Sequence, residues 1–199
     1  ELKGKKVLVC GMAKSGISAA ELLKRLGCAV TLQDLKKEDE LGDVLYLKNQ
    51  GIELYLGSNP DDIVTEFDFV VLSPGIPCDL PFILKAREAK IPVISEVELS
   101  YRLTPCPIAA ITGTNGKTTT TTLAGEMFKT QYKNCAVVGN IGVPYSSEVE
   151  RLTKYDYVVA EISSFQMETA IDFHPHISAV LNITPDHLNR HKTLENYIS

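Results

Sequence analysis

The chain has 199 residues, enough for one large domain or two small ones with real cores. Its net charge of -5 and the lack of a basic run argue against a nucleic-acid binder. No apolar run approaches the ~20 residues that span a bilayer, and the charged opening Glu-Leu-Lys-Gly-Lys-Lys is no signal peptide.

A cytoplasmic, monomeric protein without membrane or nucleic-acid partners is expected. The start at Glu1, without an initiator Met, reads as a trimmed end. The five cysteines are scattered, odd in number and without a CxxC pair. Reduced, buried thiols are therefore expected.

Short apolar runs alternate with helical patterns. Residues 5–10 read as a buried strand. A helix with Ile17, Ala20, Leu23 and Leu26 at helical spacing follows and stops at Gly27. Strands are expected at 29–33, 52–57, 68–73 and 91–95, and helices at 40–51, 81–90 and 96–103. The Thr-Pro-Cys-Pro stretch at 104–107 stops the last helix and stiffens a connection. A domain boundary is placed there, giving units 1–104 and 105–199.

The alternation then restarts, with strands at 108–112, 135–139, 155–161 and 177–183 and a helix over 117–129. The runs are continuous and β-branched, which fits parallel strands covered on both faces. Strand–helix alternation in both halves predicts two doubly wound α/β units. The unusual residues fall repeatedly after strands, where open α/β sheets bind ligands.

The most informative stretch is Ile-Thr-Gly-Thr-Asn-Gly-Lys-Thr, residues 111–118. A phosphate cradle needs inward N–H groups, a helix N-terminus and a cation. Gly113 and Gly116 permit tight turns, Lys117 is placed for the β- and γ-phosphates, and Thr118 for Mg²⁺. The glycine usual at the head of the motif is replaced by Ile111, inside the strand. Downstream, the apolar strand Tyr-Val-Val-Ala ends in Glu161, the position of a carboxylate that coordinates a nucleotide's metal.

In Thr-Pro-Asp-His, Thr184 reads as an N-cap with Pro185 at the first helical position. That puts His187 in the first turn, as ligand for a second metal, as a phosphate contact or as a solvent-facing residue. His187 and His191 are four apart, but the Glu of a zinc-protease motif is missing; His174, His176 and His191 are given no role.

In the first half, Gly11 and Gly16 frame a dinucleotide-type turn whose middle glycine is replaced by Ala13. That disfavours NAD and fits a different diphosphate ligand held by Ala13, Lys14, Ser15 and Gly16, with Asp34 at a ribose or base edge. The Ser-Pro-Gly-Ile-Pro turn at 73–77 reads equally as a stiff turn or a ligand loop.

Together, Ile-Thr-Gly-Thr-Asn-Gly-Lys-Thr-Thr-Thr-Thr at 111–121, Gly-Asn-Ile-Gly at 139–142, Glu-Ile-Ser-Ser-Phe-Gln-Met-Glu at 161–168 and Asn-Ile-Thr-Pro-Asp-His-Leu-Asn-Arg-His at 182–191 resemble the central domain of the Mur ligases. Residues 11–16, 72–77 and 95–99 resemble the UDP-binding amino-terminal domain of its D-glutamate-adding type. The resemblance implies a Rossmann-like domain followed by a truncated P-loop ATPase domain with a mostly parallel sheet. It implies ATP and Mg²⁺ as cofactors, and UDP-N-acetylmuramoyl-L-alanine and D-glutamate as substrates joined through an acyl phosphate.

The ATP loop would comprise Gly113, Thr114, Asn115, Gly116, Lys117, Thr118 and Thr119. Thr118, Glu161 and His187 would serve the metals, with Lys117, Glu161 and His187 as the catalytic set. Asn140 would meet the UDP-sugar near its diphosphate, and Ser163 and Gln166 would line the substrate channel. Asp34, Ser73 and Gly75, with the 13–16 loop, would hold the UDP group. Leu35 and Lys36 stand where the family often has polar or Arg side chains.

The family's carbamylated lysine is expected beyond Ser199, and its third domain is not in this sequence, so an inactive fragment is expected. Another Mur or folylpolyglutamate-type ligase and a non-catalytic nucleotide-binding module are the alternatives.

Overall fold

A computed structural model describes residues 2–132, 134–140 and 142–198. The first half runs β1 (Lys6–Cys10), α1 (Lys14–Arg25), β2 (Ala29–Asp34), α2 (Leu45–Asn49), β3 (Glu53–Leu56), β4 (Phe69–Leu72), α3 (Pro81–Glu88), β5 (Val93–Ser95) and α4 (Glu96–Leu103). The second runs β6 (Ile108–Thr112), α5 (Lys117–Lys129), β7 (Cys135–Gly139), β8 (Tyr157–Glu161), α6 (Ser164–Met167), β9 (Ile177–Val180), α7 (Leu188–His191) and α8 (Leu194–Ile198).

All strand pairs are parallel, in two sheets of order β3-β2-β1-β4-β5 and β7-β8-β6-β9. This is the expected α/β class, and the continuous apolar runs have the expected cause. On β1, Val7 and Val9 face Ala19, Leu23 and Leu99, while Leu8 and Cys10 face Phe82, Ile83 and Ala86. Both faces are covered, so both demand apolar side chains.

Helices α1 and α4 lie between the sheets. Ala19, Ala20 and Leu23 of α1 join the first sheet's core, whereas Leu22 and Val97 join Ile108, Val138, Val158 and Ala160 of the second. Polar contacts cross the same seam. Ser146 N donates to the buried Glu96 carboxylate at 2.5 Å, and the Ser18 and Ser146 hydroxyls meet at 2.8 Å.

Three local expectations need correction. The helix expected over 40–51 is reduced to α2, because Gly42 takes a positive φ of 74° and breaks the turn. The helix expected to begin at Pro185, with Thr184 as its N-cap, begins at Leu188, and its N-cap is His187. Cover on both faces fails at β9, an edge strand paired only with β6, where Ile177 and Val180 are 51% and 60% exposed.

Glu98 of α4 ties the halves further. Its buried carboxylate accepts the N–H groups of Ile171, Asp172 and Phe173 at 3.0 Å each, and Arg102 Nε at 2.7 Å. Burial pushes its carboxyl upward, but these donors outweigh it and hold it below the usual carboxylate range. Glu98→Ala leaves the donors unmatched and is expected to cost about 3 kcal/mol in urea unfolding. Because the folded carboxyl is the stronger acid, its contribution is present above about pH 4 and is lost as the pH falls. The variant should lack that acid-side slope.

Candidate functional site

In the second sheet, three strand ends converge. Ile111 at the end of β6 lies opposite Glu161 of β8, and Glu161 lies opposite Gly139 of β7. β6 is also the point where the chain order reverses, with β8 on one side and β9 on the other. The loop between β6 and α5 therefore opens at a switch point, with an acid beside it.

The loop is built by its glycines. Gly116 caps α5 at φ 84°, and Gly113 has φ 138°, with the Asn182 backbone 3.0 Å from where a Cβ would sit. α5 runs over 117–129 as expected. Lys117, its first residue, donates to the carbonyls of Gly113 and Thr114 at 2.7 and 3.0 Å, so its ammonium lies over the loop. Thr118 and Thr119 are exposed at the helix mouth. Further along the threonine run, Thr122 back-bonds to the Thr118 carbonyl, while the buried Thr121 hydroxyl has no partner among the described residues.

A clamp that the sequence reading missed holds the loop from β9. Asn182 and Asn115 exchange two hydrogen bonds at 2.9 Å, and Thr114 N donates to the Asn182 carbonyl. Thr184 N donates to the Thr114 hydroxyl at 3.0 Å, which also lies 3.0 Å from the Tyr197 hydroxyl. The available signal was an amide residue directly after a strand, in the motif that also contains His187.

Glu161 is 1% exposed. Oε1 accepts from Asn140 Nδ2 at 2.9 Å, and Asn140 N donates to the Glu161 carbonyl. Gly139 makes this approach possible, since a Cβ there would stand 2.2 Å from that carbonyl. Glu161 Oε2 is buried without a partner among the described residues. Ile141, within the same Gly-Asn-Ile-Gly motif, lies outside the described residues.

An orphaned buried carboxylate oxygen beside a glycine-built loop fits a cation held between them. Among the described residues no group of three His, Cys, Asp or Glu side chains gathers as a metal site. A lone carboxylate oxygen is a donor of the kind that suits Mg²⁺ completed by phosphate oxygens and water.

His187 takes the left-handed conformation at φ 51°, packs on Phe165 at 4.8 Å between ring centroids, and lies 3.6 Å from Asp186. It lines a cleft of about 820 Å³ with Gly75, Cys78, Phe165 and Arg190. Ser163 and Gln166 form a capping box at the start of α6, with Ser163 N donating to Gln166 Oε1 at 2.9 Å. His191, given no role from sequence, is buried, with Nε2 2.9 Å from the Ser164 hydroxyl.

In the first sheet, the loops after β1 and β4 lie side by side, again where the strand order reverses. Gly16 packs so close that a Cβ would sit 1.8 Å from the Gly11 carbonyl, and the Ser73 hydroxyl donates to that carbonyl at 3.3 Å. Ala13 caps α1 without a side-chain hydrogen bond, leaving the helix mouth at Ala13, Lys14 and Ser15 open. The Asp34 carboxylate accepts from Met12 N at 2.7 Å and Lys36 N at 3.0 Å, so it shapes the 11–13 turn. A smaller cavity of about 190 Å³ adjoins Asp34, Gly75, Asn59 and Phe82.

Family models cover nearly the whole chain with this arrangement. Residues 5–95 match the Mur ligase MurD-like N-terminal domain, and residues 111–199 the Mur ligase middle domain. The chain belongs to the Mur ligase family. Mur ligases are ATP-dependent ligases.

The chain is 50% identical over 200 residues to a UDP-N-acetylmuramoylalanine--D-glutamate ligase of Alkaliphilus metalliredigens, covering 99% of this chain and 44% of the relative. It is 52% identical over 198 residues to the relative so named in Lachnoclostridium phytofermentans, covering 98% and 43%. The chain thus spans less than half the length of these curated relatives.

A solved Mur ligase, the UDP-N-acetylmuramate:L-alanyl-gamma-D-glutamyl-meso-diaminopimelate ligase from Neisseria meningitides, superposes with a TM-score of 0.60. It is 18% identical, and the match covers 98% of this chain and 65% of that one. The likeness shows the Mur ligase fold in both halves. Among the described residues no helix is long and apolar enough to cross a membrane.

Proposed function

We propose that the full-length protein adds D-glutamate to UDP-N-acetylmuramoyl-L-alanine in an ATP- and Mg²⁺-dependent step of peptidoglycan synthesis. The observation that carries this reading is the buried, half-unpartnered Glu161 carboxylate beside the 113–118 loop, in a chain about half identical to ligases of that name.

When bound, ATP supplies the phosphoryl group that turns the substrate carboxylate into an acyl phosphate, with ADP leaving. The amine of D-glutamate then attacks the acyl carbon, phosphate leaves and an amide remains. The residues of this chain contribute position and charge. The loop N–H groups at 116 and 117 and the Lys117 ammonium neutralise transferring phosphate, while those of Thr114 and Asn115 hold the loop to Asn182. Thr118 and Glu161 would hold Mg²⁺, and His187 would serve the second metal.

Residues 1–104 form the UDP-substrate unit, using the 13–16 loop, Asp34, Ser73 and Gly75. Residues 105–199 form the ATP-binding part of the central unit, and Asn140, Ser163 and Gln166 lie toward the sugar substrate. The protein acts as a cytoplasmic monomer, and the 199-residue stretch alone binds UDP ligands without turnover.

Phosphate release by the full-length protein tests the reading, with UDP-N-acetylmuramoyl-L-alanine, ATP and Mg²⁺, with and without D-glutamate. Release that depends on D-glutamate is expected. Preference for another amino acid points to a different member of the family, and nucleotide binding without release points to a non-catalytic module.

A further inference from the structure

Arg190 divides its guanidinium between Glu168 of its own half and two carbonyls of the other. Nε and Nη2 hold Glu168 at 3.0 and 2.6 Å, Nη1 donates to the Pro74 carbonyl at 3.0 Å, and Nη2 donates to the Ile76 carbonyl at 2.9 Å. Its carbon centre lies 4.5 Å from the Phe165 ring centroid. The side chain is 15% exposed, and that of Glu168 22%. Burial alone pushes the Glu168 carboxyl up, but Arg190 outweighs it and holds it below the usual range.

The two carbonyls flank Gly75, in the loop proposed to receive the UDP group. Ser73 ties the other end of that loop to the Gly11 carbonyl. An anion is bound by N–H groups, and peptide oxygens turned toward it repel it. Arg190 draws the oxygens at 74 and 76 toward α7, away from the loop's other side. Its fork also fixes the loop against the helix that His187 caps. An ammonium cannot hold a carboxylate and two carbonyls in one plane.

We propose that Arg190, oriented by Glu168, is a positioning residue that sets the 73–77 loop to accept the diphosphate of the UDP-sugar and registers it against the ATP-side helix α7. The inference rests on the reading of this chain as a ligase that takes a UDP-sugar.

The test uses full-length protein carrying Arg190→Gln, Glu168→Gln or both. Arg190→Gln is expected to raise KM for UDP-N-acetylmuramoyl-L-alanine, and its calorimetric Kd, by about tenfold, the scale of one lost charged hydrogen bond. KM for ATP should stay within about twofold of wild type, a change too small to count as a lost contact. The double variant should match Arg190→Gln alone, because Glu168 acts through the arginine.

An unchanged Kd for the UDP-sugar, or an equal rise in KM for ATP, overturns the proposal. Arg190→Lys keeps the charge and should show the same selective loss; wild-type UDP-sugar binding by it also overturns the proposal. The calorimetric arm, run with UDP-N-acetylmuramoyl-L-alanine and with UDP alone, does not involve D-glutamate. A wrong acceptor assignment and a wrong tether therefore give different results.

Discussion

Lys117→Ala in the full-length protein should lower D-glutamate-dependent phosphate release by about 10²–10³-fold or more, the loss typical of one preorganised group aimed at developing charge. The lysine sits on the first turn of α5, and its ammonium lies over the loop within 2.7–3.0 Å of two loop carbonyls. No length of Ala reaches that position. Binding of the UDP substrate should persist, because the loops proposed for it end β1 and β4 in the other sheet. Fold stability should change by less than about 0.5 kcal/mol, since the side chain is not part of any core cluster. Phosphate release, calorimetry with the UDP-sugar and a thermal scan measure the three quantities. Retained turnover removes Lys117 from the phosphate site. Joint loss of turnover and UDP-sugar binding means that the two sites are not separate.

Much of the fold was legible because its signals are local. Continuous apolar strands announce burial on both faces, and Gly116 followed by Lys117 marks the start of α5 where the structure has it. The place of Glu161 was legible for the same reason, because the apolar run before it marks the strand that it ends.

What escaped depends on partners distant in sequence. Nothing near Leu22 says that α1 is shared by two sheets, because that follows from how the halves pack. The positive φ of His187 could not be read from His-Leu, since non-glycine residues rarely adopt it. Asp34 was read as facing a ligand, and its part in shaping the turn, by accepting two backbone N–H groups, one from Met12 twenty-two residues away, went unread. Arg190 lies in the 182–191 stretch that carries the family resemblance, but it was given no role from sequence. Its importance comes from carbonyls more than a hundred residues earlier in the chain.

Glu161→Gln should separate stability from activity. A buried carboxylate with one partnered and one orphaned oxygen is a costly group, retained where a ligand completes it. The amide keeps an oxygen to accept from Asn140 and removes the charge, so the thermal midpoint without metal should not fall. Loss of the charge should weaken Mg²⁺ and lower turnover by about 10²–10³-fold, with a higher Mg²⁺ concentration needed for half-maximal rate. Glu161→Asp is the control for length. It keeps the charge but draws back from Asn140, and should retain more activity than the amide. A midpoint lowered by several degrees in the Gln variant would make the carboxylate a structural group. Turnover and Mg²⁺ dependence like wild type would place the metal elsewhere. Stability kept while activity is lost is the pattern expected of a site that holds strain for function.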